Sequence, residues 1–288
     1  MTSNDCPCCN SNGSDCAGDI KKTVRESYAA AISSEGTCCS QGSGLAEMAG
    51  YKESDLANLP EELSATTFGC GNPVSMAFLM EGETVLDIGS GAGLDVILAA
   101  RKVGPSGQVI GLDMTSEMID KANENVTKAG IINIEFRLGD AENMPVEDES
   151  IDVIISNCVI NLSPDKARVF SECMRVLQPG GRIFISDIVA EELPDEILGN
   201  KSAWCSCIAG AMKEFDYLKT IYDSGLRDIQ IIEKKTYSTD EIRRILSGCC
   251  ADGTDNKEAR LASELTGRME GKISSITVFA TKKPSGGC

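Results

Sequence analysis

Fourteen cysteines and not one histidine define the chemistry open to this 288-residue chain. Without histidine there is no Ser–His or Cys–His nucleophile system, no histidine metal site and no histidine general base. The thiols remain. Cys70 stands between two glycines in FGCGNP, Cys158 closes the apolar run IDVIISNC, and Cys207 sits in WCSCIAGA. Taken singly, Cys70 is a small residue in a tight turn and Cys158 an ordinary core thiol. Taken together, three soft thiolates select a soft, thiophilic centre, provided that the fold brings them to one place.

An open α/β sheet would do so, because its ligand crevice lies beyond the carboxyl ends of the strands. Residues 84–100, TVLDIGSGAGLDVILAA, supply its first unit. Val85, Leu86 and Ile88 read as a strand buried on both faces, and Gly89, Ser90, Gly91 and Gly93 make a turn that passes into a helix. Glycine there lets backbone N–H groups approach a ligand. Dinucleotide sites use a G-x-G-x-x-G turn, but here Leu94 occupies the third glycine's place and Asp87 stands two residues before the first glycine. An acid in that position suits a cationic amino-acid end better than a pyrophosphate.

Asp113, which ends a second strand 20 residues past Gly93, is suited to hydrogen-bond ribose hydroxyls. Asp140, Ala141 and Glu142 follow a third strand, IEFRL, and are placed to meet an adenine ring. Ser90, Met114 and Asn157 complete the expected cofactor contacts.

Composition narrows the partners. With Lys+Arg 27 against Asp+Glu 44, the net charge of −17 repels an extended phosphate surface, so nucleic acid is not expected as a substrate. No apolar run reaches the length of a membrane span, and the expected setting is the cytoplasm. Residues 1–19, with Cys6, Cys8, Cys9 and Cys16, lack apolar periodicity and are expected to form a disordered tail; incidental thiol or metal binding is the other reading. Residues 20–64 are expected to form a helical cap and residues 65–190 the cofactor-binding domain. Residues 191–288 follow as helices carrying Cys207 and a C-terminal α+β region, with helical pieces in 191–224 and closing strands at 228–237 and 273–282.

The segments GTCC, FGCGNP, LDIGSGAG, SNCVINLSPDK and WCSCIAGA resemble, in order and wording, the arsenite S-adenosylmethionine methyltransferase family in its prokaryotic form. The resemblance implies an α/β fold, a doubly wound seven-stranded Rossmann-like sheet with an N-terminal helical extension, and S-adenosylmethionine as cofactor. It implies that As(III), arriving as thiol conjugates of arsenite or methylarsenite, is held by Cys70, Cys158 and Cys207 and takes methyl groups through its lone pair. A further family thiol falls on Cys38 or Cys39, between which the sequence does not choose. The resemblance suggests that this thiol forms disulfides with the binding thiols during turnover, reset by a thiol or thioredoxin-type reductant. Cys205 is an extra thiol beside Cys207 and a possible substitute ligand. Cys249-Cys250 reads as structural or as an entrance for arsenic. The competing functions are methyl transfer to a thiol, quinone or sterol-like carbon, and non-catalytic arsenic binding.

Overall fold

The computed structural model describes residues 16–33, 49–52, 56, 59, 63, 69–198, 201–248 and 265–284. Cys6, Cys8, Cys9, Cys38, Cys39 and the Cys249-Cys250 doublet lie outside these residues. Strand β1 (Thr84–Ile88) is followed by β2 (Gln108–Asp113), β3 (Ile134–Leu138), β4 (Ile151–Asn157), β5 (Leu177–Ala190), β6 (Arg227–Thr236) and β7 (Ile273–Thr281). They form one seven-stranded sheet in the order β3-β2-β1-β4-β5-β7-β6.

The first five strands run parallel, and β7 lies antiparallel between β5 and β6. Val85 of β1 registers with Val109 on one side and Val153 on the other, and all three are fully buried, as apolar runs in a strand covered on both faces require. Strand order reverses at β1, between β2 and β4. The crevice of an open sheet lies at such a reversal.

Helix α1 (Cys16–Ser33) begins at Cys16 rather than at residue 20, so the end of the expected tail is helical. Asp19 in its first turn complements the positive end of the helix dipole. The short α2 (Pro73–Met76) starts after Asn72, whose side chain accepts from Ser75 N. Helices α3 (Leu94–Val103) and α4 (Ser116–Ala129) flank the parallel strands, and α5 (Lys166–Val176) is capped by Asp165, which accepts from Arg168 N at 3.0 Å. The 191–224 stretch resolves into α6 (Asp195–Leu198), α7 (Lys201–Cys205) and α8 (Glu214–Asp223), with α9 (Thr239–Gly248) after β6.

One close approach fixes Cys207 relative to β4. A Cβ on Gly210 would lie 2.0 Å from the Asn161 carbonyl oxygen and 2.8 Å from the Trp204 ring, so only glycine lets this segment press against the turn that follows β4. Since the clash is with backbone, it cannot be relieved by a rotamer change. We expect Gly210→Ala to destabilise the protein by about 1–3 kcal/mol, as overpacking does. In denaturant titrations this should accompany faster alkylation of Cys207.

Candidate active site

Beyond the carboxyl ends of β1, β2 and β4 lies a cleft of about 1080 Å³, counting its open mouth. The glycine turn forms its floor. Gly89 N and Ser90 N donate to Leu112 O at 2.7 and 3.0 Å, which ties the turn to the end of β2. Gly89 has φ +74°, and a Cβ there would lie 2.2 Å from the Val159 side chain. The Asp113 carboxylate accepts from Gly91 N and Thr115 N, both at 2.9 Å, one on each oxygen. Each oxygen therefore keeps acceptor capacity toward the cleft.

Asp87, Asp95 and Asp113 all line this cleft, and no lysine or arginine among the described residues forms an ion pair with them. Burial drives the Asp87 carboxyl well above its usual range, and Asp95 and Asp113 push it further. The Asp95 carboxyl rises to about 6 through burial, eased by hydrogen bonds from Tyr51 and Asn157. Burial also raises Asp113, against the pull of its backbone donors. Acids held in this way favour a cationic ligand group. Tyr51 Oη donates to Asp95 at 2.8 and 2.9 Å.

At the other end of the cleft, Lys21 of α1 pairs with Asp140 at 2.7 Å and Glu142 at 2.6 Å. Tyr28 of the same helix donates from Oη to Cys205 O at 3.0 Å. Helix α1 thus spans the cleft from its acidic rim to the cysteine segment.

The three expected arsenic thiols are neighbours. Cys70 and Cys158, 88 residues apart, are joined by a disulfide with a Cα–Cα distance of 5.7 Å. The Cys207 thiol donates to Cys158 O at 2.6 Å. Cys158 and Cys207 have φ +61° and +62°, a left-handed conformation uncommon outside glycine and kept only where the surrounding structure holds it. Cys158 lines the cleft, whereas half-buried Cys70 lines a second cavity of about 450 Å³ with Asn72, Ser75, Glu233, Lys235, Ser275 and Thr277.

Tyr237 Oη reaches the Cys70 carbonyl at 3.4 Å. Behind Cys207, the Lys166 ammonium rests on the carbonyls of Asn161 and Ser163 at 3.4 and 3.0 Å, and burial pulls it down to about 8. Cys205 is buried beside Cys207. Cys173 lies on the buried face of α5, its thiol pushed up to about 12 by burial and then by Glu172.

Of the expected cofactor residues, Asp87, Gly89, Ser90, Gly91, Asp113, Met114, Asp140, Ala141 and Asn157 line the cleft. Gly93 and Glu142 are not among its lining residues. Gly93 begins α3 with φ +92°, where a Cβ would crowd the Phe136 ring at 3.2 Å. Glu142 turns to Lys21 and accepts from Ser163 Oγ, at a distance normal for a charge-assisted bond. Sequence reading missed Asp95 and Tyr51. Asp95 carried a signal: it is an acid in the first turn of the helix that leaves the glycine turn.

S-Adenosylmethionine fits these residues. Its ammonium and sulfonium charges suit the Asp87 and Asp95 end, and Asp113 offers acceptors to a ribose. Ser90 Oγ is buried with no hydrogen-bond partner among the described residues and lines the same cleft.

Because the Asp95 carboxyl titrates near 6, binding of S-adenosylhomocysteine, whose α-ammonium suits that carboxylate, should weaken below that pH, approaching about tenfold per unit for a single group. Calorimetric titration between pH 5 and 8 measures this. The same raised carboxyl acts oppositely on folding. The folded protein takes up a proton between the ordinary value of 3.8 and about 6, so this contribution to stability falls as pH rises through that window. Asp113→Ala should weaken S-adenosylhomocysteine by about 1.5–3 kcal/mol in the same titration, through loss of hydrogen bonds to a charged group.

Residues 79–246 match the model of a methyltransferase domain. The arsenite methyltransferase of Halobacterium salinarum is 44% identical over 245 residues, covering 84% of this chain and 59% of that protein. That of Aquipseudomonas alcaligenes is 37% identical over 209 residues, with 70% and 59% covered. The chain thus spans about 59% of the length of these relatives. Among solved structures, the arsenic(III) S-adenosylmethionine methyltransferase from Chlamydomonas reinhardtii superposes with a TM-score of 0.64 at 34% identity, over 81% of this chain and 73% of that one. With its methyltransferase sheet, its acidic cleft and its three gathered thiols, the chain belongs to the arsenic(III) S-adenosylmethionine methyltransferase family.

Proposed function

We propose that this protein transfers methyl groups from S-adenosylmethionine to trivalent arsenic held by Cys70, Cys158 and Cys207. The observation that carries this reading is the meeting of the three thiols at the carboxyl end of β4, with Cys158 opening on the cleft. S-Adenosylmethionine supplies an electrophilic methyl carbon on a sulfonium. Thiolate ligands keep As(III) in place and leave its lone pair as the nucleophile. As(III) in this form has no proton to lose, so the chain needs no general base at the reacting atom, in accord with its lack of histidine.

The disulfide between Cys70 and Cys158 must open before both thiolates can bind arsenic. That step takes two electrons from a thiol or thioredoxin-type reductant, delivered by thiol–disulfide exchange. Cys38 or Cys39 is the proposed exchange partner, by family resemblance. In this reading residues 65–190 hold the cosubstrate and residues 191–288 bring Cys207. Thiol conjugates of arsenite and methylarsenite are the substrates, and the reducing cytoplasm is the setting.

Mass-resolved arsenic speciation after incubation with S-adenosylmethionine, arsenite and a thiol reductant tests the reading. Methylated arsenic is expected from the native protein and should fall below detection in Cys158→Ser, where a hard hydroxyl replaces a soft ligand. S-Adenosylhomocysteine binding should survive that change. A native protein that binds S-adenosylhomocysteine yet makes no methylarsenic would defeat the proposal.

A further inference from the structure

The Asn157 side chain stands between the acidic end of the cleft and the Cys70 turn, and it uses all of its hydrogen-bonding capacity to join them. Oδ1 accepts from Cys70 N at 2.9 Å and from Gly71 N at 3.1 Å. Nδ2 donates to Gly71 O at 2.6 Å and to Tyr51 Oη at 2.9 Å, with Asp95 Oδ2 also within reach at 3.3 Å. These partners settle the amide's orientation, since the flipped form would set two amide hydrogens against two backbone N–H donors. Tyr51 Oη passes the chain onward by donating to both Asp95 oxygens. Neighbouring residues are shaped to this contact. A Cβ on Gly69 would lie 2.2 Å from Asn157 Nδ2, and one on Gly71 would lie 2.6 Å from Ser186 Oγ.

We propose that Asn157 is a positioning residue that couples the two ligands, so that a cationic ligand at the Asp95 end of the cleft and arsenic on the Cys70 turn each raise affinity for the other. The proposal rests on the arsenic reading above. Donors and acceptors along Asn157, Tyr51 and Asp95 all point the same way, amide to hydroxyl to carboxylate, and bonds aligned in this manner polarise one another. A cation beside Asp95 keeps its carboxylate ionised. That strengthens the pull on Tyr51 and then on the amide, whose opposite edge grips Cys70 and Gly71. The grip sets where Cys70 stands relative to Cys158, and so how well the thiols converge on one atom. Reciprocity follows, because a coupling free energy is shared equally by the two ligands.

Trp204, the single tryptophan of the chain and three residues before Cys207, provides the readout. Arsenite is titrated against the phosphine-reduced 288-residue chain by Trp204 fluorescence, with and without saturating S-adenosylhomocysteine. In the native protein, S-adenosylhomocysteine should tighten arsenite by about fivefold or more. Tyr51→Phe removes the linking hydroxyl but leaves the amide on the Cys70 turn, so the factor should fall toward one while arsenite affinity alone holds. Asn157→Ser should lose the factor and also weaken arsenite, which keeps the test informative if Tyr51→Phe folds poorly. A purely structural role would lower melting temperature without changing the ratio of the two affinities. Arsenite binding that ignores S-adenosylhomocysteine in the native protein, or an undiminished factor in both variants, overturns the coupling alone. Failure of the native protein to bind arsenite while still binding S-adenosylhomocysteine overturns the functional reading as well.

Discussion

Three carboxylates in one cleft, Asp87 and Asp95 buried and Asp113 half-buried, set the terms for the rest of this molecule. Burying an acid without a cation raises its proton affinity and opposes the charged form. The fold meets this cost with donors that come from separate parts of the chain. Backbone N–H groups of the glycine turn and of Thr115 serve Asp113, while Tyr51 and Asn157 serve Asp95. Those donors bring with them the turn that carries Cys70. Charge burial in the cleft and thiol placement beside it are therefore two aspects of one network.

The thiols show a second constraint. Cys158 follows a largely buried strand and Cys207 follows a short helix, yet both adopt left-handed backbone conformations that ordinary residues avoid. Packing overrides the local preference. Cys158 N is held by Ser186 O at 2.8 Å, Cys207 N by Trp204 O at 2.9 Å, and the close approach at Gly210 presses the second segment onto the first. Strained positions of this kind persist only where the surroundings over-determine them. Here they set Cys158 against Cys70 and bring the Cys207 thiol to the Cys158 carbonyl.

Helix α1 adds a boundary to the site. Lys21 meets Asp140 and Glu142 at one end and Tyr28 meets the Cys205 carbonyl farther along, so the helix runs from the rim of the cleft to the cysteine segment. Val24 between them is fully buried in the same apolar cluster as Cys158 and Cys207. Excluding water there strengthens each electrostatic contact inside the cleft. Among the described residues, no helix is long and apolar enough to cross a membrane.

Much of this was legible along the chain. Strand β1, its glycine turn and α3 follow from a continuous apolar run, glycines able to take positive φ, and helical spacing, all of them local properties. The three cysteine motifs were equally visible, as were the strand boundaries of β3 and β4. Local residue patterns were enough for the inventory: a soft-ligand set, an acid beside the glycine turn, and a parallel sheet with a crevice to receive them. Tertiary structure alone decided that Glu142 pairs with Lys21 rather than facing the cleft, and that Asp95 joins Asp87 there. It alone placed the Asn157 amide between Tyr51 and the Cys70 turn. The Asn157–Tyr51 contact links residues 106 positions apart, and hydrogen bonds between distant segments impose no periodicity on either one. Periodicity records which face of an element is buried; the partner waiting there is set by how the elements pack.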